Sequence, residues 1–238
     1  MYHVINRGNY RQHIFREDGA REAFLMCLEE ACEKTGWRGY AWCIMSNHFH
    51  LALETPRANL VEGMTWLQST FATRFNRYRA ESGHLFQGRY KSLYVEAETG
   101  MGALCHYLHL NPVRAKVCPV EEILKWPWTS LAWMSDPKRR PGFYSPDVAL
   151  RHAGNLADTK RGWEQYRDYL AWVTENKPAQ RELGLAKMSK GRAIGSDAFK
   201  KDLIAAHREK VSQKVLGDPE WIEAREAYLR NELQVLLQ

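Results

Sequence analysis

Two β-rich runs, GYAWCIM (39–45) and HFHLALE (48–54), are separated only by Ser46 and Asn47. So short a connection leaves two extended segments one geometry, an antiparallel hairpin, with Ser-Asn supplying the turn chemistry. Side chains alternate between the faces of a strand. His48 and His50 therefore stand side by side, while Phe49, Leu51 and Leu53 point the other way, where a core can cover them. A pair of imidazoles at this spacing is either a solvated surface feature or two thirds of a metal site. The motif alone does not choose.

Around the hairpin the periodicity switches in a regular order. YHVINR (2–7) alternates as a strand does. Residues 19–36 carry Phe24, Leu25, Leu28, Ala31 and Cys32 at helical spacing, with Gly36 as the stop. A long helix is expected from Asn59 to about Arg79, with Leu60, Met64, Leu67, Phe71 and Phe75 on one face. Gly83 and Gly88 break the pattern in ESGHLFQGRYK (81–91), and SLYVEAE (92–98) returns to a strand. GMGALCHYLHLNP (100–112) reads as a helix ended by Pro112, because the residue before a proline disfavours the α region. The order β-α-β-β-α-β plus a helix predicts an α+β fold, a split βαβ sheet with helices packed on one face.

WPWTSLAWM (126–134) adds three tryptophans, expected as an apolar clasp over the core. SDPKRRPGFYSPD (135–147) concentrates proline, glycine and charge and marks a boundary. The expected organisation is a first domain over 1–135, a linker over 136–149 and a mostly helical domain over 150–238, ending in EWIEAREAYLRNELQVLL. Within it, Ser196 or Asp197 is placed to cap a helix carrying Phe199, Leu203 and Ile204, with Lys200 and Lys201 outward. That helix suits either a helix-turn-helix-like module on duplex DNA or a domain that only packs on the first.

A hydrophobic content of 45% in 238 residues is globular rather than disordered. No run approaches the roughly 18 apolar residues of a membrane span, and MYHVINRGNY lacks the apolar stretch of a secretory signal. A cytoplasmic protein without membrane contact is expected. The 5 cysteines (Cys27, Cys32, Cys43, Cys105, Cys118) show no CxxC spacing and read as reduced, mostly buried thiols. The net charge of +6 permits an anionic partner without demanding one. Between Arg74 and Lys91, however, Arg74, Arg77, Arg79, Arg89 and Lys91 face a single acid, Glu81, and, with Phe71 just before them, interleave with Phe75, Tyr78, Phe86 and Tyr90. Cations that follow phosphates and rings that stack on bases suit single-stranded nucleic acid; an amphipathic helix with a solvated basic face suits the window equally. Phe86, Arg89, Tyr90 and Lys91 are the candidate DNA contacts, followed by Arg7 and Arg11 in the opening segment.

The remaining chemistry lies in CHYLHLNPVRA, where Tyr107 and Asn111 are four apart and share a helical face. The Asn111 amide oxygen would suit a hard cation such as Mg²⁺ or Mn²⁺ as a third ligand beside His48 and His50. Tyr107, one turn earlier, would project toward the same ion as a nucleophile. The alternative is that Tyr107 packs and Asn111 caps the helix.

NHFHLALE, GHLFQGRYKS and YLHLNPVRA, in that order, resemble the single-tyrosine HUH transposases, in particular the REP-associated tyrosine transposases; HUH denotes His, a bulky apolar residue, His. The opening YHVINRGNYRQHIF is similar to the start of that family, and the resemblance covers roughly residues 1–135. It implies a ferredoxin-like fold, a divalent metal held by His48 and His50 with Asn111 from the tyrosine helix, and Tyr107 as nucleophile. The implied activity is cleavage and rejoining of single-stranded or hairpin, REP-like palindromic DNA through a 5′-phosphotyrosine link. No nucleotide-binding GxxxxGK[ST] occurs, and this chemistry needs none. A domesticated hairpin-binding descendant and a replication-initiator or relaxase-type nickase are the alternatives, and a monomer or a homodimer would serve. His106 and His109 fall on other helical faces and rank below His48 and His50.

Overall fold

The computed structural model describes residues 1–97 and 99–214, with side chains through 208. The N-terminal part runs β1 (Tyr2–Arg7), α1 (Asp18–Thr35), β2 (Arg38–Ile44), β3 (His48–Glu54), α2 (Leu60–Arg79) and β4 (Lys91–Val95). It continues through α3 (Thr99–His109), α4 (Asn111–Arg114) and α5 (Ser130–Met134). The rest comprises α6 (Asp147–His152), α7 (Lys160–Glu175), α8 (Lys177–Glu182), β5 (Ala193–Ile194) and α9 (Asp197–Lys214). The stretch EWIEAREAYLRNELQVLL lies outside the described residues. No helix among the described residues is long and apolar enough to cross a membrane.

The strands form one sheet in the order β2-β3-β1-β4-β5. The first four neighbours are antiparallel and β5 joins β4 in parallel. With α1 and α2 as crossovers, β2-β3-β1-β4 is the ferredoxin-like split βαβ arrangement expected from the sequence order. The β2–β3 hairpin closes with the Met45 amide donating to the His48 carbonyl at 2.8 Å. Its turn is anchored from outside, since the amides of Gly8 and Phe15 donate to the carbonyls of Asn47 and Ser46.

Period-two alternation sorts the sheet into two faces. Val4, Trp42, Ile44, Phe49, Leu51 and Leu53 pack against α1 and α2 in one core. Rings dominate it: Phe24 lies 4.6 Å from Phe49 and 5.2 Å from Phe71 by centroid. Each such side chain contributes about 1.5–3 kcal/mol on burial, and tilted or edge-on pairs add somewhat more. The expectation of helices on a single face holds for α1 and α2 but not for α3. That helix covers the opposite face, joining Cys43, Ala52, Leu93 and Val95 in a second core with Val148, Leu150, Tyr166, Leu170, Leu185 and Met188.

The segment between the tryptophans and α6 runs along the outer edge of β2. The Ile44 amide donates to Trp128 O (2.9 Å), Gly39 N to Phe143 O (2.8 Å) and Ser145 N to Gly39 O (3.0 Å). These bonds occupy an edge that would otherwise present unpaired polar groups. Trp128 is buried and Trp126 and Trp133 pack on the same core, forming the expected clasp.

One element differs from expectation at its end. The helix predicted over 100–112 stops at His109, and Pro112 enters the first turn of α4 instead of terminating α3. A proline is tolerated there because the first turn of a helix has no use for its missing N–H. The backbone keeps turning through Leu110, whose amide donates to His106 O at 2.9 Å.

Candidate active site

Strand register brings the site together. β1 and β3 are neighbours, with Arg7 opposite His48 and Ile5 opposite His50. Alternation then puts His3, Arg7, His48 and His50 on the face that α3 covers. The His48 and His50 rings lie 5.0 Å apart at 82°. The Tyr107 ring stands 5.9 Å from His50 at 89° and 6.1 Å from His3 at 71°. Arg114, from α4, holds its guanidinium carbon 5.3 Å above the Tyr107 ring. Tyr107 and Asn111 are each 8% exposed, at the border between core and surface. Asn111 is the first residue of α4, one helical turn beyond Tyr107.

Hydrogen bonds assign the protons on the imidazoles. Met188 O, a carbonyl oxygen, only accepts, so His3 donates to it from Nδ1 at 2.8 Å. His3 Nε2 is left as an acceptor, and the Nδ1–H of His50 donates to it at 2.9 Å. His48 likewise donates from Nδ1 to Asn47 Oδ1 at 2.6 Å. In both His48 and His50 the lone pair is therefore on Nε2. Burial keeps these rings neutral. It holds His50 well below the ordinary histidine range, with further lowering from His3, His48 and Arg7. Burial first and Arg7 second push His48 down to about 4. A neutral imidazole is the form that binds a cation.

Among the described residues, no three His, Cys, Asp or Glu side chains form a metal-holding group. A divalent cation here would take two imidazole nitrogens supplemented by oxygen, for which Asn111 at the start of α4 offers an amide. Mixed nitrogen and oxygen donors suit Mn²⁺ or Mg²⁺ better than a thiolate-preferring ion.

The other sequence candidates are dispersed. Arg7 stands beside His48. Arg11 is exposed and follows Tyr10 in a turn where both adopt left-handed backbone (φ 60° and 48°). Arg89 is exposed. Lys91 donates to Ser189 O at 2.9 Å. Tyr90 is half-buried against the aromatic core. Phe86 is not a surface ring: it is 9% exposed and packs on Phe49 and Phe71, because the Gly8–Phe86 bridge draws the loop onto the core. The basic window is also less unpaired than its sequence suggests. Arg74 forms a two-pronged bond to Glu30, and Arg79 reaches Glu17 and Glu81. His106 and His109 are fully buried on the far side of α3 and both bond the Tyr166 hydroxyl at 2.8 Å, so neither can meet a phosphate.

Sequence reasoning overlooked His3, Arg114 and the Met188 carbonyl. His3 was discoverable, since it shares the period-two face of Arg7 on a strand already recognised. Nothing local marks Met188.

Fold and site together define an α+β protein of the split βαβ class that gathers a histidine pair and a tyrosine on one sheet face. Residues 1–111 match the family described as "Transposase IS200 like". The match spans just under half of the 238 residues and includes the histidine pair and Tyr107. Among solved structures, a REP-associated tyrosine transposase bound to a REP hairpin is similar at 13% identity, over 62% of this chain and 85% of that one, with a TM-score of 0.47. A putative transposase from Deinococcus radiodurans R1 is similar at 20% identity, over 49% of this chain and 83% of that one, with a TM-score of 0.35. No curated protein matches the chain.

Proposed function

We propose that this protein is a tyrosine transposase that nicks and rejoins single-stranded or hairpin DNA, including palindromic hairpins. The Tyr107 oxygen attacks a phosphodiester phosphorus in line with the bond to the 3′ oxygen. The O–P bond of a 5′-phosphotyrosine forms, the P–O3′ bond breaks, the leaving strand takes a proton as its 3′-hydroxyl, and the phenol proton passes to water. Attack by another 3′-hydroxyl reverses the step and joins the strands, so no nucleotide cofactor is consumed. His48 and His50 would hold Mg²⁺ or Mn²⁺ through Nε2, with Asn111 as the oxygen donor. When bound, such an ion polarises the scissile phosphate and offsets charge developing on its oxygens. Arg7, beside His48, would bind a neighbouring phosphate. Arg114 over the phenol ring limits its rotation and keeps positive charge near the attacked group.

The observation that carries this reading is the Tyr107 ring 5.9 Å from His50, which has His48 5.0 Å away on the same face, with the lone pairs of both imidazoles on Nε2. An unpaired strand is favoured as substrate because Tyr107 is nearly buried, and a phosphate stacked within a duplex has little freedom to reach it. Labelled single-stranded hairpin DNA incubated with Mn²⁺ or Mg²⁺ should yield a covalent protein–DNA adduct on a denaturing gel. Tyr107→Phe should abolish the adduct while DNA binding persists; an adduct that survives the substitution sinks the assignment. Unchanged activity in EDTA would discredit the metal role.

A further inference from the structure

The structure contains a third histidine at the site that no catalytic step above uses. His3 is fully buried on β1, stacked at 5.1 Å and 29° on His50. Its two nitrogens have opposite duties. Nδ1 faces Met188 O, so it must carry the proton; Nε2 faces His50 Nδ1, so it must accept. His50, whose Nδ1 meets that accepting nitrogen, carries its proton on Nδ1, because the reverse arrangement sets two lone pairs against each other.

We propose that His3 is a positioning residue: anchored by the Met188 carbonyl, it accepts the Nδ1–H of His50 and so leaves the His50 lone pair on Nε2, the nitrogen that would hold the cation. This inference rests on the reading of His50 as a cation ligand. It goes beyond that reading because it assigns the ligand's tautomer to a residue outside the donor set. It also makes the site dependent on a carbonyl at position 188, far beyond the residues 1–111 that match the transposase family.

Three further observations support a built relay. Lys91, in register with Ile5 on the next strand, donates to Ser189 O, so two successive carbonyls of the 188–189 segment are tied to the sheet. The Tyr94 amide donates to Arg192 O at 2.8 Å and Glu96 N to Ile194 O at 2.9 Å, which fixes the chain a few residues further on as strand β5. Met188 itself is buried in the α3-side core. The acceptor that sets the His3 tautomer is thus tied to the sheet on one side and to the core on the other. Outer partners of this kind orient a ligand ring and fix its tautomer, and their loss usually lowers metal affinity by about 10–100-fold.

Two near-isosteric substitutions separate this role from simple packing. His3→Asn keeps a donor in the place of Nδ1, able to reach Met188 O, but removes the acceptor for His50. His3→Gln keeps an acceptor in the place of Nε2. Mn²⁺ affinity, read from the EPR signal of free ion in titrations of the full chain, should fall by about 10–100-fold in His3→Asn and stay within about threefold of wild type in His3→Gln. In parallel, ¹⁵N–¹H correlation spectra of the imidazoles without metal should show His50 protonated on Nδ1 in wild type and His3→Gln. In His3→Asn the His50 proton should move to Nε2 in a substantial fraction of molecules. Equal Mn²⁺ affinity in all three proteins, with His50 still on Nδ1 in His3→Asn, overturns the inference. The spectra report on His3 whether or not an ion binds. Failure of the cation reading looks different: wild type would bind no Mn²⁺, or His50→Ala would bind it as tightly. Should His3→Asn fail to fold, the comparison of His3→Gln with wild type still decides, because loss of affinity or of the Nδ1 proton in a folded His3→Gln contradicts the role.

Discussion

Tyr166 shows how one hydroxyl can organise a buried polar cluster. It lies between His106 Nδ1 and His109 Nδ1, both at 2.8 Å, and can donate to one ring while accepting from the other. The cluster extends outward from both rings. His106 Nε2 is 3.0 Å from His152 Nδ1, and His109 Nε2 is 2.8 Å from Ser130 Oγ, which in turn accepts the Trp42 amide. Replacing the hydroxyl with nothing leaves two buried nitrogens short of a partner, and each such group costs about 1–3 kcal/mol. Tyr166→Phe should therefore destabilise the fold by about 2–4 kcal/mol in urea unfolding. A loss under 0.5 kcal/mol would mean that water or a rearranged histidine replaces the hydroxyl.

Among the elements, α3 has the most demanding position, because it carries Tyr107 on one side and packs on α6 on the other. Closeness there depends on Gly102. A Cβ at that position would come within 2.2 Å of the His152 ring, a distance no real contact tolerates. Gly102→Val should force α6 outward at a cost of about 1–3 kcal/mol, as overpacking typically does. The expected result is a lower melting temperature with slower adduct formation, since displacement of α3 also moves Tyr107 relative to His50. Gly100, two residues earlier, meets Ile194 O at 2.9 Å from its would-be Cβ and is a milder case of the same constraint. At α9, Ser196 fulfils the expected capping role: its hydroxyl oxygen accepts the Phe199 amide at 3.1 Å, while Glu96 accepts from the Ser196 amide and hydroxyl.

For the whole molecule, the buried histidines set the response to acid. Burial holds His109 down at about 3, and His106 lies well below its ordinary range for the same reason, with His152 and His109 adding to it. In the unfolded chain these rings take up protons near pH 6.5; in the native state they do not. Their contribution to stability is complete above pH 6.5 and is lost as pH falls from there toward the native values. His109 alone accounts for a loss of about 2 kcal/mol between pH 7.5 and pH 5. The urea midpoint should fall clearly over that interval, and a midpoint that does not move would show that these rings are not excluded from protonation. The second core explains why the effect belongs to the molecule rather than to one helix. α3 is covered by α6, α7 and the segment around Leu185 and Met188, so protonation beneath α3 loosens the chain on both sides.

By itself the sequence determined the hairpin, the strand-helix order and the pairing of His48 with His50, because alternation, helical spacing and two-residue turns are local and need no knowledge of distant residues. The motif spacing likewise set Tyr107 and Asn111 one turn apart. Tertiary structure alone decided that Phe86 goes to the core, that Arg74 and Arg79 find acids on or beside α1, and that His106 and His109 turn away from the His48 and His50 rings to meet Tyr166. It alone joined His3 to the carbonyl of Met188. Register between strands and docking of segments more than a hundred residues apart arise from the summed packing of both cores, and no local pattern in the chain encodes that sum.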